Sequence, residues 1–324
     1  MFKMMVAAAL SLQQIPTGEP VEPLTVRFET EDAERFAALW MQHGGQLDAA
    51  TLQRDYIDEG GRGIEIFTNG RIENGEKMAR VIGENPGLYA DAIQRCLPWA
   101  LEATPRLRST YLGLKGLLPD AELPRAALVV GSDNSGGTAQ ADMQVLGLEV
   151  LCRMSKDRDT FDRTLLSVFA HETVHSLQSD NANEPNELLR AVLREGVADY
   201  IASLIVGASI DPQRDAWAAP RRETIFNHFA ADLEDWDAWV EAGMPDEGEV
   251  QQAALRNLFR WVGNAGHPPD DWPDELGYWV GSEIARRYVD NSDNPREAIR
   301  ELLEFEDGDA VIAKADMSER LGRD

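Results

Sequence analysis

The sequence is poor in histidine, cysteine and basic residues. Its 324 residues include 5 histidines, 2 cysteines and 31 Lys and Arg against 57 Asp and Glu, which gives a net charge of −26. A body with that charge is repelled by the phosphate field of nucleic acids and of anionic membrane surfaces, so the sequence argues against both as partners. Because the acidic residues are spread along the chain, we interpret them first as a solubility device, with attraction of cationic substrates as the second interpretation.

Cys96 and Cys152 are the two cysteines of the sequence, so at most one disulfide can form within the chain. They could form one disulfide in an oxidising compartment, or they could be two small buried apolar residues. The sequence alone leaves both alternatives open.

The apolar run at the N-terminus, Met4 to Leu12, is too short to span a bilayer. It follows a single lysine and precedes small and polar residues, a pattern typical of a secretory signal. We therefore expect residues 1–20 to be a signal peptide and the mature chain, without a membrane span, to be periplasmic or secreted. The alternative is an ordinary chain terminus on a cytoplasmic protein.

The remaining composition, 43% hydrophobic and 27% charged without repeats or low-complexity tracts, is that of a folded globular protein. We expect residues 21–324 to form a single domain, mostly helical and of the α+β class. Its predicted parts are a helical N-terminal part over about 21–125, a core of strands and metal-binding helices over about 126–210, and a helical C-terminal part over about 211–324.

Several local patterns predict helices in the N-terminal part. The stretch "TEDAERFAALWMQHGG" begins at Thr30, a plausible N-cap, carries apolar residues at helical spacing and ends at two glycines, with His43 as a cap or surface residue. Further helices are expected at "GEKMARVIGEN" and "PGLYADAIQRCLPWALEAT".

The stretch "RAALVVGSDNSGGTAQADMQVLGLEVLC" predicts strands instead. Ala127 to Val130 and "MQVLGLEVL" have strand character, and the Gly, Ser and Asn cluster between them favours a hairpin or small sheet. One interpretation of the cluster is a tight turn and nothing more. The other is an edge strand that lines a cleft and pairs with an extended peptide.

The stretch "FAHETVHSLQ" lies in a predicted helix that begins at Asp159 or Thr160 and ends near Ser179. His171 and His175 are four residues apart and so project from one helix face, with Glu172 beside them. In this His-Glu-x-x-His pattern, two neutral imidazoles bind a zinc ion and the glutamate is the general base for a metal-activated water. The alternative, two core histidines without a ligand, would bury polar rings that need partners.

A catalytic zinc site needs a third protein ligand. The candidates considered are Asp180, Glu184, Glu187, Glu195 and His228. Glu195 is preferred because it lies in the middle of the next predicted helix, capped by Asn183 and ending at Gly207. Asp199, one turn further on, could accept the far N–H of a zinc-bound histidine. A solvated glutamate is the alternative for Glu195.

The spacing also separates zinc-binding families. A metzincin would need glycine where this chain has Gln178 and histidine where it has Asn181. His-Glu-x-x-His followed by Glu195 and then Asp199 resembles the gluzincin metallopeptidases, with thermolysin-like spacing. Over about residues 50–305 the chain also resembles the predicted zinc-dependent protease family related to the gliding-motility protein GldB, through "SGGT", "GLEV", "FAHETVHSLQ", "LREGVADYI" and "GYWVGSEIARRY".

The resemblance implies a zincin-like fold with a small sheet, one Zn²⁺ per chain, and cleavage of peptide bonds in a peptide or protein substrate. Gluzincins commonly stabilise the oxyanion with a downstream tyrosine or histidine, for which Tyr278 is the first choice and His267 the second. An aromatic that only packs its helix is the alternative for Tyr278. Gly281 is expected either to allow close helix packing or to let the substrate approach.

Two rival functions use the same residues. One is a non-catalytic, exported zinc-binding protein of envelope or assembly function, and the other is an amidase that acts on a cell-wall amide. Glu172 favours an enzyme over the first rival, because a structural metal site has no need of a general base.

Overall fold

The computed structural model describes residues 21–180, 183–245, 248–269 and 271–323. The expected signal peptide at residues 1–20 lies outside the described residues. Among the described residues no helix is both long enough and apolar enough to cross a membrane.

A four-stranded sheet lies near the centre of the chain. Its strands are β1 (Phe28–Glu29), β2 (Arg125–Val129), β3 (Gly137–Ala139) and β4 (Met143–Gly147), in the order β1-β2-β4-β3. The first three in that order are parallel, and β3 is antiparallel to β4. Strand β4 is buried along its whole length, as expected for a strand inside a sheet that is covered by helices.

The N-terminal part is helical, as predicted. Its helices are α1 (Glu31–Gln42), α2 (Ala49–Thr51), α3 (Arg62–Phe67), α4 (Gly75–Glu84), α5 (Pro86–Asp91), α6 (Leu97–Leu101) and α7 (Thr104–Leu117). Three π-helical turns join them, at Leu52–Ile57, Thr68–Ile72 and Ala92–Cys96. The predicted helix after Thr30 and the two further helical stretches are confirmed.

The rest of the described chain is also mostly helical. Its helices are α8 (Leu148–Arg153), α9 (Arg158–His175), α10 (Glu187–Val206), α11 (Pro212–Ala218), α12 (Arg222–Glu241), α13 (Glu249–Trp261), α14 (Leu276–Asp290), α15 (Pro295–Leu303), α16 (Gly308–Lys314) and α17 (Ser318–Leu321), with a 3₁₀ turn at Ala219–Arg221. The predicted class, mostly helical α+β with a small sheet, is therefore confirmed.

Of the two predicted arrangements, a hairpin or a small sheet, the structure has the small sheet. Strands β2 and β4 do not form a hairpin but run parallel, and the antiparallel partner of β4 is β3, which lies inside the glycine-rich cluster. The second predicted strand was too long, since it ends at Gly147 and α8 follows. A short, continuously apolar run such as "LEVL" has no periodicity that separates a buried strand from a buried helix.

The ends of the two central helices differ from the prediction. Helix α9 is capped by Asp157 rather than by Asp159 or Thr160, because its side chain accepts the N–H of Thr160 at 2.8 Å. This helix ends at His175, so the second histidine lies at its C-terminus rather than in its middle.

Helix α10 is capped by Asn186 and not by Asn183, because the Asn186 side chain accepts the N–H of Leu189 at 3.0 Å. Glu184 and Pro185 therefore precede the helix. The predicted end is confirmed, since Gly207 follows the last turn with a φ of 73°, in the left-handed region that favours glycine.

Helix α9 packs against the sheet and α10 packs against α14. The Phe169 ring of α9 meets the Phe28 ring of β1 edge-on at 5.9 Å, and Gln144 of β4 donates to the Thr173 hydroxyl at 2.6 Å. On the other side of the site, a Cβ added to Gly281 of α14 would lie 1.9 Å from the carbonyl oxygen of Val192. Gly281 therefore allows close helix packing, the first of its two interpretations.

Cys96 and Cys152 form a disulfide, with 5.8 Å between their Cα atoms. The bond joins the π-helical turn Ala92–Cys96 to α8. Of the two alternatives for the cysteines, the structure has the disulfide.

Candidate metal centre

Three candidate ligand atoms converge between α9 and α10. The Nε2 atoms of His171 and His175 are 2.9 Å apart, and Oε2 of Glu195 lies 3.2 Å from the first and 3.0 Å from the second. Ligand atoms in a tetrahedral shell with bonds of about 2.0–2.1 Å are roughly 3.3 Å apart, close to this spacing. This largely buried group could hold a metal ion.

Both imidazoles are held through their other ring nitrogen. His171 Nδ1 lies 2.8 Å from Oδ1 of Asp199, and His175 Nδ1 lies 2.6 Å from Oε1 of Gln178. Gln178 is itself fixed, since its amide donates to the carbonyl oxygen of Arg194 at 2.7 Å. Because an acceptor at Nδ1 favours a proton on that atom, each ring presents the Nε2 lone pair to the centre of the cluster.

Arg214 of α11 lies directly behind Asp199. Its guanidinium donates to Oδ2 at 2.5 Å, and its side chain is 5% exposed. Although burial opposes ionisation, Arg214 and His171 hold the pKa of the Asp199 carboxyl below its usual range. Asp199 is therefore an ionised acceptor that can fix the orientation of the His171 ring.

The electrostatics of the cluster favour positive charge at its centre. Burial disfavours a charged ring, but the hydrogen bonds from His171 to Asp199 and Glu195 raise its pKa well above the ordinary value. Burial also opposes the Glu195 carboxylate, yet His175 and His171 hold its pKa well below the usual range. A site that stabilises an added positive charge in this way is suited to a cation.

Glu172 is buried on the side of the cluster that faces β3. A Cβ added to Gly137 would lie 2.7 Å from Cγ of Glu172, so the strand approaches the carboxylate this closely only because residue 137 is glycine. Burial raises the pKa of Glu172. Such a carboxylate is poised to accept and return a proton.

Tyr278 of α14 also reaches the cluster. Its ring stacks on that of His171 with centroids 5.7 Å apart and an interplanar angle of 6°. Burial, and then the nearby Glu195, raise the pKa of Tyr278 well above its ordinary value, so the phenol keeps its proton. Its packing role and a role as hydrogen-bond donor are both compatible with this position.

The other candidates of the sequence lie elsewhere. Glu184 accepts the N–H groups of Asn186 and Gly308, and Glu187 pairs with Arg190. The side chains of Asp180, His228 and His267 are exposed. Within the described part of the chain, the group able to bind a metal contains none of these residues.

Three residues at the site were not predicted: Gln178, Arg214 and Arg71, which interacts electrostatically with Glu172. Gln178 had a local signal, because a residue three positions after His175 falls on the same side of a helix end. Arg214 and Arg71 had none, since they come from α11 and from the turn Thr68–Ile72, far from the motif in sequence.

The chain was compared with models of protein families, with curated proteins and with solved structures, and none of the three comparisons gave a match. The resemblance to gluzincins therefore stays a prediction from motif and spacing. The function has to be inferred from the residues of the chain itself.

Proposed function

We propose that the protein is a zinc-dependent hydrolase of the gluzincin type that cleaves peptide bonds. The supporting observation is the convergence of His171, His175 and Glu195, with both imidazoles anchored at Nδ1 so that Nε2 faces the centre. Two imidazoles and one carboxylate are a donor set typical of catalytic zinc, in which three protein ligands leave a fourth position open. One Zn²⁺ per chain is the expected content.

Zinc, when bound, supplies a Lewis acid that polarises a carbonyl and makes hydroxide available near neutral pH. Glu172 takes the proton of the attacking water and delivers it to the leaving amine, for which its buried position and raised pKa are suited. Tyr278, which keeps its proton, donates a hydrogen bond to the oxyanion that forms on the substrate carbonyl.

Strand β3 is the proposed docking edge for the substrate. It is the last strand of the sheet order, and in the described chain no further strand pairs with its outer edge. An extended peptide that pairs with this edge passes Gly137, where the backbone touches Glu172. A substrate peptide that is paired with β3 therefore has one of its peptide bonds beside Glu172, the proposed general base.

The two rival functions share the metal ligands. A zinc-binding envelope or assembly protein without turnover needs no carboxylate in the position of Glu172, so the geometry favours the hydrolase. An amidase that acts on a cell-wall amide uses the same chemistry and differs only in substrate. A periplasmic or secreted location is part of this proposal, since it follows from the expected signal peptide.

Zinc content and peptide cleavage test the proposal together. We expect one zinc per chain in the wild type and in Glu172→Gln, with turnover on a mixed peptide library reduced about 10²–10⁴-fold in the variant. Glu195→Gln should lose zinc, whereas Glu187→Gln, on the exposed side of the same helix, should keep both zinc and turnover. Tyr278→Phe should keep zinc and lower kcat about 10²-fold.

Two outcomes contradict the proposal. If Glu195→Gln still bound one zinc per chain, Glu195 would not be the third zinc ligand. One zinc per chain without cleavage of any peptide by the wild type would favour the zinc-binding protein, or the amidase if a cell-wall amide were cleaved instead.

A further inference from the structure

Arg71 lies in the irregular turn that follows α3. The π-helical turn Thr68–Ile72 contains Gly70, whose φ of 73° only glycine adopts readily. The side-chain amide of Asn134 donates to the carbonyl oxygen of Arg71 at 3.2 Å. The turn is thereby tied to the loop that leads into β3.

The guanidinium of Arg71 is held on that loop. Its Nε donates to the Ser135 hydroxyl at 3.1 Å, and its Nη1 donates to the Asn69 carbonyl oxygen at 3.3 Å. The Ser135 hydroxyl in turn donates to the carbonyl oxygen of Gly137 at 2.6 Å, and Gly137 packs on Glu172. Arg71 is thus fixed beside the start of β3, near the general base.

The charge of Arg71 is only partly satisfied by the protein. The side chain is half-buried, burial lowers its pKa, and Glu172 is the acidic group that interacts with it electrostatically. Among the described residues no carboxylate forms an ion pair with Arg71 and no acceptor bonds its Nη2, while the guanidinium carbon lies over the Phe67 ring, 5.7 Å from its centroid. The guanidinium keeps N–H groups that reach solvent, and a ligand that displaces this water must supply an acceptor, because desolvating an unpaired charge is costly.

The strand direction indicates which part of a substrate Arg71 meets. A peptide that pairs antiparallel with β3 runs opposite to it, so the C-terminal side of the peptide lies beside the N-terminal end of the strand. Gly137 marks the scissile bond through its contact with Glu172. Ser135 lies two residues earlier, before the bend at Gly136 that leads into β3, and therefore marks the segment just after the scissile bond.

We propose that Arg71 binds a carboxylate of the substrate at the first residue after the scissile bond. The inference deepens the proposed function and rests on it. The fork of N–H groups on a guanidinium matches a carboxylate, and a local cation is needed to hold an anionic group on a protein with a net charge of −26. The carboxylate belongs either to the end of the peptide chain or to an Asp or Glu side chain.

Four peptides of one sequence distinguish the two sources. Two end one residue after the cleaved bond, one with a free carboxylate and one with an amide. The other two continue to a distant amide and carry Glu or Gln at the residue after the bond. For each peptide, kcat and KM are measured on the zinc-loaded wild type, Arg71→Gln and Arg71→Lys.

We expect the wild type to have a lower KM for one of the two carboxylate peptides than for the neutral peptide of the same pair. Arg71→Gln should raise KM for that peptide about 10–100-fold, as expected for loss of a charge-assisted hydrogen bond. Any change in kcat should be the same for the carboxylate and the neutral peptides, because it reflects the loss of a charge that acts on Glu172, and Arg71→Lys should restore part of the preference in KM. Arg153→Gln, which removes an arginine paired with Asp133 on the same loop, is the control and should change nothing.

The inference is overturned if the wild type shows no preference for either carboxylate. It is also overturned if Arg71→Gln lowers kcat equally on all peptides and leaves the KM ratio of each carboxylate peptide to its neutral match unchanged, because Arg71 would then act only through Glu172. Binding of the same peptides to zinc-loaded Glu172→Gln, with and without Arg71→Gln, is measured by calorimetry and does not depend on turnover. A carboxylate preference in binding without any cleavage by the wild type would refute the proposed hydrolysis and keep only carboxylate binding by Arg71, without a scissile bond to define its position.

Discussion

At the scale of single residues, the candidate ligands are held by a series of hydrogen bonds and ion pairs that extends away from the ligand atoms. Glu195 and the two histidines converge, His171 is held by Asp199, and Asp199 is held by Arg214. The last link is an ion pair in which both side chains are at most 5% exposed. Each member is expensive to bury alone and is stabilised by the next.

Arg214→Leu should lower the free energy of unfolding by about 3–5 kcal/mol, because it leaves Asp199 buried without its counter-charge. Urea denaturation of the variant measures this loss. Arg80→Leu is the matched control, since Arg80 pairs with Glu84 at 3.0 Å and both side chains are 61% exposed. The control should lose at most about 1 kcal/mol, and equal losses in both variants would contradict the importance of burial.

At the scale of secondary-structure elements, the site depends on three helices and one edge strand. Helices α9 and α10 supply the ligand atoms, α14 brings Tyr278 onto His171, and β3 approaches Glu172. Glycines set the spacing in two of these contacts, between α10 and α14 and between β3 and α9. A side chain at either place would separate the elements that carry the site.

Gly281→Ala should destabilise the protein by about 1–3 kcal/mol, because the added methyl group meets the rigid backbone of α10 at Val192. Thermal and urea denaturation measure the change, and Tyr278 should move with α14. Gly83→Ala in α4 is the control, since nothing lies within 4 Å of its added Cβ. Alanine there should stabilise the helix by about 0.5–1 kcal/mol, so a loss of similar size in both variants would refute the packing argument.

At the scale of the whole molecule, an acidic chain carries buried carboxyl groups that do not belong to the candidate ligand set. Burial raises the pKa of Glu149 to about 7, even though its oxygens accept the N–H groups of Gly131 and Asp133. Burial likewise raises the pKa of Glu275 to about 7. Both groups favour the protonated form in the folded protein, so ionisation opposes folding.

The pH dependence of stability should show this burial. Because the folded pKa of Glu149 lies above the unfolded value of 4.5, its contribution is fully present below pH 4.5 and is lost as the pH rises to about 7. We expect the stability of the wild type relative to Glu149→Gln to fall by about 3 kcal/mol over that range and then level off. Urea denaturation of both proteins from pH 4 to 8 in one zinc-containing buffer measures it, and parallel curves would contradict the prediction.

The local part of this protein was predictable from its sequence. Helix α1, the end of α10 at Gly207 and the placement of His171 and His175 on one helix follow from periodicity, capping residues and a spacing of four. These features involve neighbours along the chain. The caps of α9 and α10 were predicted wrongly because more than one residue able to cap a helix stands near the start of each helix.

Only the tertiary structure decided which distant groups meet. The parallel pairing of β2 with β4, the disulfide, and the positions of Arg214 behind Asp199 and of Arg71 beside Glu172 join segments that are far apart in sequence. The residues next to a charged residue in a helix or turn do not indicate which distant residue it will be buried against. The sequence by itself therefore determined the helices and the motif, and the packing of those helices determined the partners, because burial and ion pairing depend on neighbours in space.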